Sequence, residues 1–342
     1  MNNIHKKLYT LIGISIFVMI LVSDVFANGA GSRASFGRTG WVGGEYVAMG
    51  MTGSVVANDV YSIYWNPAGL NELQRRKKLS ENDVTSKARD GKVRSIREQD
   101  LLDFTEDKSD AMFFDIGISG SMLAESINAV FAGVAFGLFN GVLGVGAYTV
   151  GSTDIGLFDE LGNPQGTDTY ISGVSYLSYA WSMGITDIGV TVKGLYERID
   201  DATYLGGGLD LGAQIALLPI LTVGFTVTDI GTGLKPIGND NNIKNRYDMA
   251  YPSLNTGAAL KIEPGFVLAG TISKRLEQKG YVLSGGVKYA LAKYMNVILG
   301  MSESCFSSGV SISAFGFNMA YGFSFDKIDN GMNNTVSVSF LF

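Results

Sequence analysis

Thr335-Val336-Ser337-Val338-Ser339-Phe340-Leu341-Phe342 is the stretch on which the reading of this chain turns. Successive side chains of a strand point to opposite faces. Val336, Val338, Phe340 and Phe342 therefore share one face, and Thr335, Ser337 and Ser339 share the other. An apolar face backed by a hydroxyl face suits a wall with lipid on one side and water on the other, which is what a transmembrane β-barrel strand requires.

The opposite end points to export. Lys6 and Lys7 precede an apolar run from Leu8 to Val22, and Val25-Phe26-Ala27 puts small side chains at the two positions that direct cleavage. Residues 1–27 are therefore expected to be a secretory signal peptide, cut between Ala27 and Asn28. Thr10, Gly13 and Ser15 interrupt the run, which falls short of the ~20 apolar residues a retained membrane helix needs.

Composition agrees with a barrel. Of 342 residues 45 are Gly and only 17% are charged, against about 25% in ordinary soluble proteins. The 16 Tyr and 19 Phe supply the aromatic side chains that girdle a barrel at both lipid interfaces. A net charge of −6 with no basic stripe excludes a nucleic-acid partner. His5, the only histidine, lies in the expected signal peptide, and Cys305 is the only cysteine. Neither a Ser/His/Asp or Cys/His nucleophile system nor an ordinary zinc site can be assembled from what is left. The expectation is no catalytic residue, no metal and no cofactor.

Three segments follow the signal. Residues 28–70 are Gly-rich and nearly uncharged, and are read as an N-terminal hatch. Residues 71–110 hold ten basic and ten acidic side chains and read as a charged helical periplasmic insertion, with one turn of helix around Glu81–Arg89 and another behind the Ser95/Glu98 capping-box spacing. Residues 111–342 break into fourteen runs of alternating residues, an even number as a bacterial barrel requires. The runs include 141–152, 169–183, 204–217, 219–230, 304–314, 315–327 and 333–342. The long gaps 153–168, 231–250 and 328–332 all follow odd-numbered runs, while connections after even-numbered runs are at most two residues. That segregation fits long loops outside and tight turns on the periplasmic side. The fold class expected is all-β, a transmembrane antiparallel barrel with the N-terminal hatch in its lumen. By alternation, Lys193, Glu197, Asp210, Gln214, Lys261, Arg275, Lys288 and Asp326 should face that lumen, while Phe317, Tyr321, Phe323 and Leu221 should meet outer-membrane lipid.

The most specific internal sequence is Ala48-Met49-Gly50-Met51-Thr52-Gly53, then Val56-Ala57-Asn58-Asp59-Val60, then Tyr64-Trp65-Asn66-Pro67-Ala68-Gly69-Leu70. Asn66 suits the cap of a helical turn, Pro67 its first position, and Gly69 a closing residue with positive φ. A signal peptide, a Gly/Ala-rich segment, Asn-Pro-Ala-Gly-Leu and an even barrel ending in Phe together resemble the FadL-type long-chain fatty-acid transporters of the bacterial outer membrane, closest to their PorV-like and spirochaete-type branch. The terminal aromatic strand likewise resembles the signal read by the barrel-assembly machinery. The family resemblance implies that Gly50, Gly53, Asn66, Pro67, Ala68 and Gly69 belong to a gating hatch. It implies passive, ligand-gated uptake of a hydrophobic small molecule, with a long-chain fatty acid as the expected cargo and Lys193, Lys261, Arg275 and Lys288 as lumen cations for a carboxylate. The alternative it implies is a PorV-like partner of a secretion system, acting as a cargo shuttle, with 71–110 as the docking element for a periplasmic protein.

Overall fold

The computed structural model describes residues 40–76, 113–123, 127–159, 161–199, 202–237, 248–262, 265–276, 280–303, 305–326 and 331–342. The expected signal peptide, the first part of the hatch and the two helical turns expected within 71–110 fall outside these residues.

The wall begins with β1 (Phe114–Met122), β2 (Asn128–Leu138), β3 (Gly141–Phe158), β4 (Pro164–Met183) and β5 (Thr186–Ile199). It continues through β6 (Ala202–Leu218), β7 (Leu221–Ile237), the two-residue β8 (Asp248–Met249), β9 (Ser253–Ile262) and β10 (Phe266–Arg275). It ends with β11 (Val282–Ala292), β12 (Met295–Ser302), β13 (Cys305–Ala314), β14 (Phe317–Asp326) and β15 (Met332–Leu341). Each long strand pairs antiparallel with its chain neighbours; β7 pairs with β9 directly, and β8 is a short addition at Gly233 and Leu234. The ring closes where β1 pairs with β15, from Asp115↔Leu341 to Met122↔Asn334. Fourteen long strands thus form a closed barrel with no free edge, which leaves no unpaired backbone to meet lipid.

The alternation sets the two faces. Thr335, Ser337 and Ser339 are buried inside, whereas Val336, Phe340 and Phe342 are exposed on the outer surface. On β14 Phe317, Met319, Tyr321 and Phe325 point outward and Ala320 and Ser324 inward. Outward Ile116, Ile118, Leu268, Ile272 and Leu299 continue an apolar band that suits lipid. Among the described residues no helix is long and apolar enough to cross a membrane; the crossing is made by strands.

The strand ends differ from the sequence reading in two ways. The gap 153–168 is mostly strand, because β3 and β4 stay paired as far as Phe158↔Pro164. Residues 164–167 are exposed on both faces there, so once the hairpin clears the membrane no apolar face remains to mark it. The strand likewise runs on through 231–237. The tight turns are also displaced. Leu218, left between the runs 204–217 and 219–230, belongs to β6, and the turn falls at Pro219-Ile220. Phe315, read as the first lipid-facing residue of its strand, is a turn residue 91% exposed. It has φ 52° and Gly316 has φ 81°, the two left-handed residues of a hairpin turn that matches strand twist. All six connections on the rim of the chain's C-terminus are two or three residues long, which makes that rim periplasmic.

Candidate functional site: the lumen and its plug

Residues 40–76 thread the barrel interior as a series of short helices. They are α1 (Gly44–Ala48), α2 (Gly53–Val56), α3 (Ser62–Trp65), a 3₁₀ turn (Pro67–Leu70) and a helix over 71–76. Val42, Val47, Ala48, Ala57, Val60, Ala68, Leu70 and Leu73 are fully buried. Helices this short are unstable alone; the barrel supplies the apolar surface and hydrogen-bond partners that hold them. The sequence reading ended the hatch at Leu70, and the helix over 71–76 continues it, burying Asn71 and Leu73.

The inner hydroxyl face of the wall does the holding. Gly43 N donates to Ser119 Oγ (3.0 Å), Gly44 N to Ser337 Oγ (2.8 Å) and Gly50 N to Ser307 Oγ (3.1 Å). Ser307 Oγ donates onward to the Ala48 carbonyl (3.0 Å). The Tyr61 hydroxyl reaches the carbonyls of Ile118 and Val338 at 2.9 and 2.8 Å. Thus the seam where β1 meets β15 is also where the plug is tied. Charge adds two further ties. Lys288 Nζ lies 2.5 Å from Glu45 Oε1, and Arg75 lies 2.6 Å from Asp187 Oδ1. Burial pushes the Glu45 carboxyl up, and the Lys288 ammonium, with Ser311 and Arg76, more than offsets this, holding it below its usual range.

The Asn66–Leu70 motif sits low in the lumen. Asn66 Oδ1 accepts from Ala68 N (3.1 Å), while its Nδ2 donates to the Ser54 carbonyl (2.7 Å) and reaches the Ala213 carbonyl of β6 (3.3 Å). Pro67 and Ala68 lie against Gly189 near the periplasmic start of β5. Gly69 lies inside the 3₁₀ turn rather than at a left-handed closing position. What requires glycine there is space, since a Cβ would stand 2.2 Å from the Ala57 carbonyl oxygen. Gly50 has both demands, φ 72° and a Cβ position 2.5 Å from the Gly285 carbonyl oxygen. Gly53 backs onto Trp65, whose ring would lie 2.2 Å from an added Cβ.

The four cations expected in the lumen have different fates. Lys193 is buried between Asp210, at 2.8 Å, and Asp229, and is neutralised there. Lys288 is committed to Glu45. Lys261 stands at the periplasmic end of β9. Burial raises the Glu72 carboxyl, but the charges of Lys261, Arg75 and Arg76 together bring it below its usual range. Arg275, at the outer end of β10, lines a cavity of about 510 Å³.

That cavity occupies the outer part of the lumen. Its floor is the plug, through Gly40, Met51, Ser54, Tyr64 and Trp65. Trp65 Nε1 donates to the Val42 carbonyl (2.8 Å) and Tyr64 packs against Trp65, Tyr148 and Tyr176 with ring centroids 5.2, 5.4 and 6.2 Å away. One wall carries the Lys193–Asp210–Asp229 cluster, where Asp229 has φ 65° at a register shift between β6 and β7. These aromatic and acidic residues were not named as site residues from sequence. Tyr64 and Trp65 stand in the motif itself, beside the asparagine, and were the available signal.

Comparison with known proteins follows this geometry. No protein-family model and no curated protein matches the chain. Among solved structures it resembles the CymD monoaromatic hydrocarbon channel at 13% identity, with 87% of this chain and 96% of that one covered and a TM-score of 0.54. A Ralstonia pickettii toluene transporter, TbuX, matches at 11% identity over 87% and 97%, TM-score 0.53. A Pseudomonas aeruginosa FadL homologue matches at 8% identity over 87% and 97%, TM-score 0.51. The chain has the fold of a FadL-type channel. It is a bacterial outer-membrane β-barrel with its N-terminal segment packed inside.

Proposed function

We propose that this barrel is a passive outer-membrane channel for small molecules with an apolar body, gated by its plug. The observation that carries the proposal is the cavity of about 510 Å³ floored by the plug's own Met51, Tyr64 and Trp65. A solute entering from outside meets the plug before it meets the periplasmic rim, so occupancy acts directly on the element that must move. The plug is tied by hydrogen bonds and ion pairs rather than by covalent links, and such ties exchange with water at modest net cost. Gly50 and Gly53 are the proposed close-approach points of the gate, and Asn66, Pro67, Ala68 and Gly69 its anchor. The similar structures named for toluene and monoaromatic hydrocarbons support an apolar cargo. Long-chain fatty acids fall within the same class, and Arg275 is among the residues that line the cavity.

The test is uptake across an intact outer membrane. In a diderm host deleted for its own hydrophobic-solute channels, expression of the chain should accelerate entry of radiolabelled oleate or toluene above the empty-vector rate. A folded barrel in the outer membrane with no acceleration for either solute would overturn the proposal.

A further inference from the structure

The cavity is not lined as a hydrocarbon slot would be. Among the described residues, Met51 and Val282 are the only aliphatic side chains on its surface beyond glycine. Tyr281 and Glu303 stand at its outer edge, and most of the rest divides by side. Below lie the rings of Tyr64 and Trp65, at 82° to each other, with Tyr176 beside them. Across the lumen, β7 and β9–β12 present a polar ladder fixed by strand register. Thr228 stands level with Ser253, which stands level with Arg275. Asn255 is level with Ser273 and Ser284 with Ser302. The charged groups on the facing side, Lys193, Asp210 and Asp229, are engaged with one another.

Physical chemistry narrows the solute from there. A purely apolar molecule would strip water from the hydroxyl ladder and return nothing. A polyol, polar on every edge, would meet aromatic rings on one of its sides. A flat ring stacked on one of Tyr64 and Trp65 and edge-on to the other, with a hydroxyl or carboxyl edge turned to the ladder, satisfies both halves. We infer that the cavity selects aromatic rings bearing a polar substituent, phenols or aromatic acids, over hydrocarbons and straight-chain fatty acids. This rests on the channel reading above and names its substrate class.

The test uses Trp65 as the reporter. The full chain carrying Trp41→Phe and Trp181→Phe, reconstituted in lipid nanodiscs, is titrated with p-cresol, toluene, laurate and methyl glucoside. Saturable quenching by p-cresol at least about tenfold tighter than by toluene is expected, the worth of one net hydrogen bond. Ser273→Ala with Ser284→Ala should shrink that ratio to about threefold or less, and Thr228→Val provides a second, near-isosteric variant should the double variant misfold. Toluene, laurate or methyl glucoside binding as tightly as p-cresol overturns the inference, as does a ratio untouched by the variants. If no probe binds yet expression still accelerates oleate or toluene entry, the class is wrong and the channel stands. If both fail, both readings fall.

Discussion

Asp59 is the one acidic residue of the plug's middle section, and the lumen has closed over it. Its Oδ2 accepts from the Tyr46 hydroxyl (2.7 Å) and its Oδ1 from Tyr61 N (3.0 Å). Burial pushes its carboxyl from 3.8 up to about 6, with Glu45 adding in the same direction and Tyr46 and Arg76 opposing. An acid whose value rises on docking favours the docked state most when protonated. Docking should therefore be tightest below about pH 4 and loosen as pH rises towards about 6, by up to about 3 kcal/mol. Hydrogen exchange of amides 44–65, corrected for intrinsic rates, should show protection falling across that window. In Asp59→Asn the slope over the window should flatten, because the amide does not titrate. An equal slope in the variant would place the pH response elsewhere, with Asp115, whose Oδ2 accepts from Val60 N at 2.8 Å, the next carboxylate to replace.

At the scale of the strand, what was legible followed the solvent. Wherever lipid lies on one side, the chain alternates, so the inward Lys193, Asp210 and Lys288 and the outward Phe317 and Tyr321 were placed from sequence alone. Beyond the membrane both faces are wet, and the paired extension through Phe158↔Pro164 left no trace in the pattern. Phe315 misled because its side chain suits lipid, while its left-handed backbone was set by Gly316 and the twist of the hairpin. The partners of the inward row were also hidden. A serine such as Ser337 is equally consistent with lining water, and only the folded chain brings Gly44 N to it. The outward row carries a direct test. Tyr321 is 40% exposed at mid-strand, its hydroxyl donating to Asn334 Oδ1 at 2.6 Å. Tyr321→Arg should destabilise the barrel by roughly 2–4 kcal/mol if it lies near the midplane and less towards an interface. Equilibrium refolding into phospholipid vesicles measures the difference. A change within about 0.5 kcal/mol would mean this face does not meet hydrocarbon.

At the scale of the molecule, wall and plug divide the work of folding. Every long strand of the wall finds both partners in other wall strands, and the ladder closes at β1–β15 and β6–β7 without a residue of the plug. The plug has no such independence, since its short helices bury their apolar faces against the inner wall and one another. Removing it should leave a closed barrel whose inner hydroxyls are hydrated where they had been bonded to residues 43–50. Deleting residues 41–65 is therefore expected to preserve the heat-modifiable gel mobility of a folded barrel while raising single-channel conductance in planar bilayers. The full-length chain should stay closed or flicker, because α1 and the Asn66–Leu70 turn press against opposite parts of the wall, the former on β12–β15 and the latter on β3–β6. A folded deletion variant with the conductance of the full chain would show that something other than this segment closes the lumen, and the gating role of the plug would have to be abandoned.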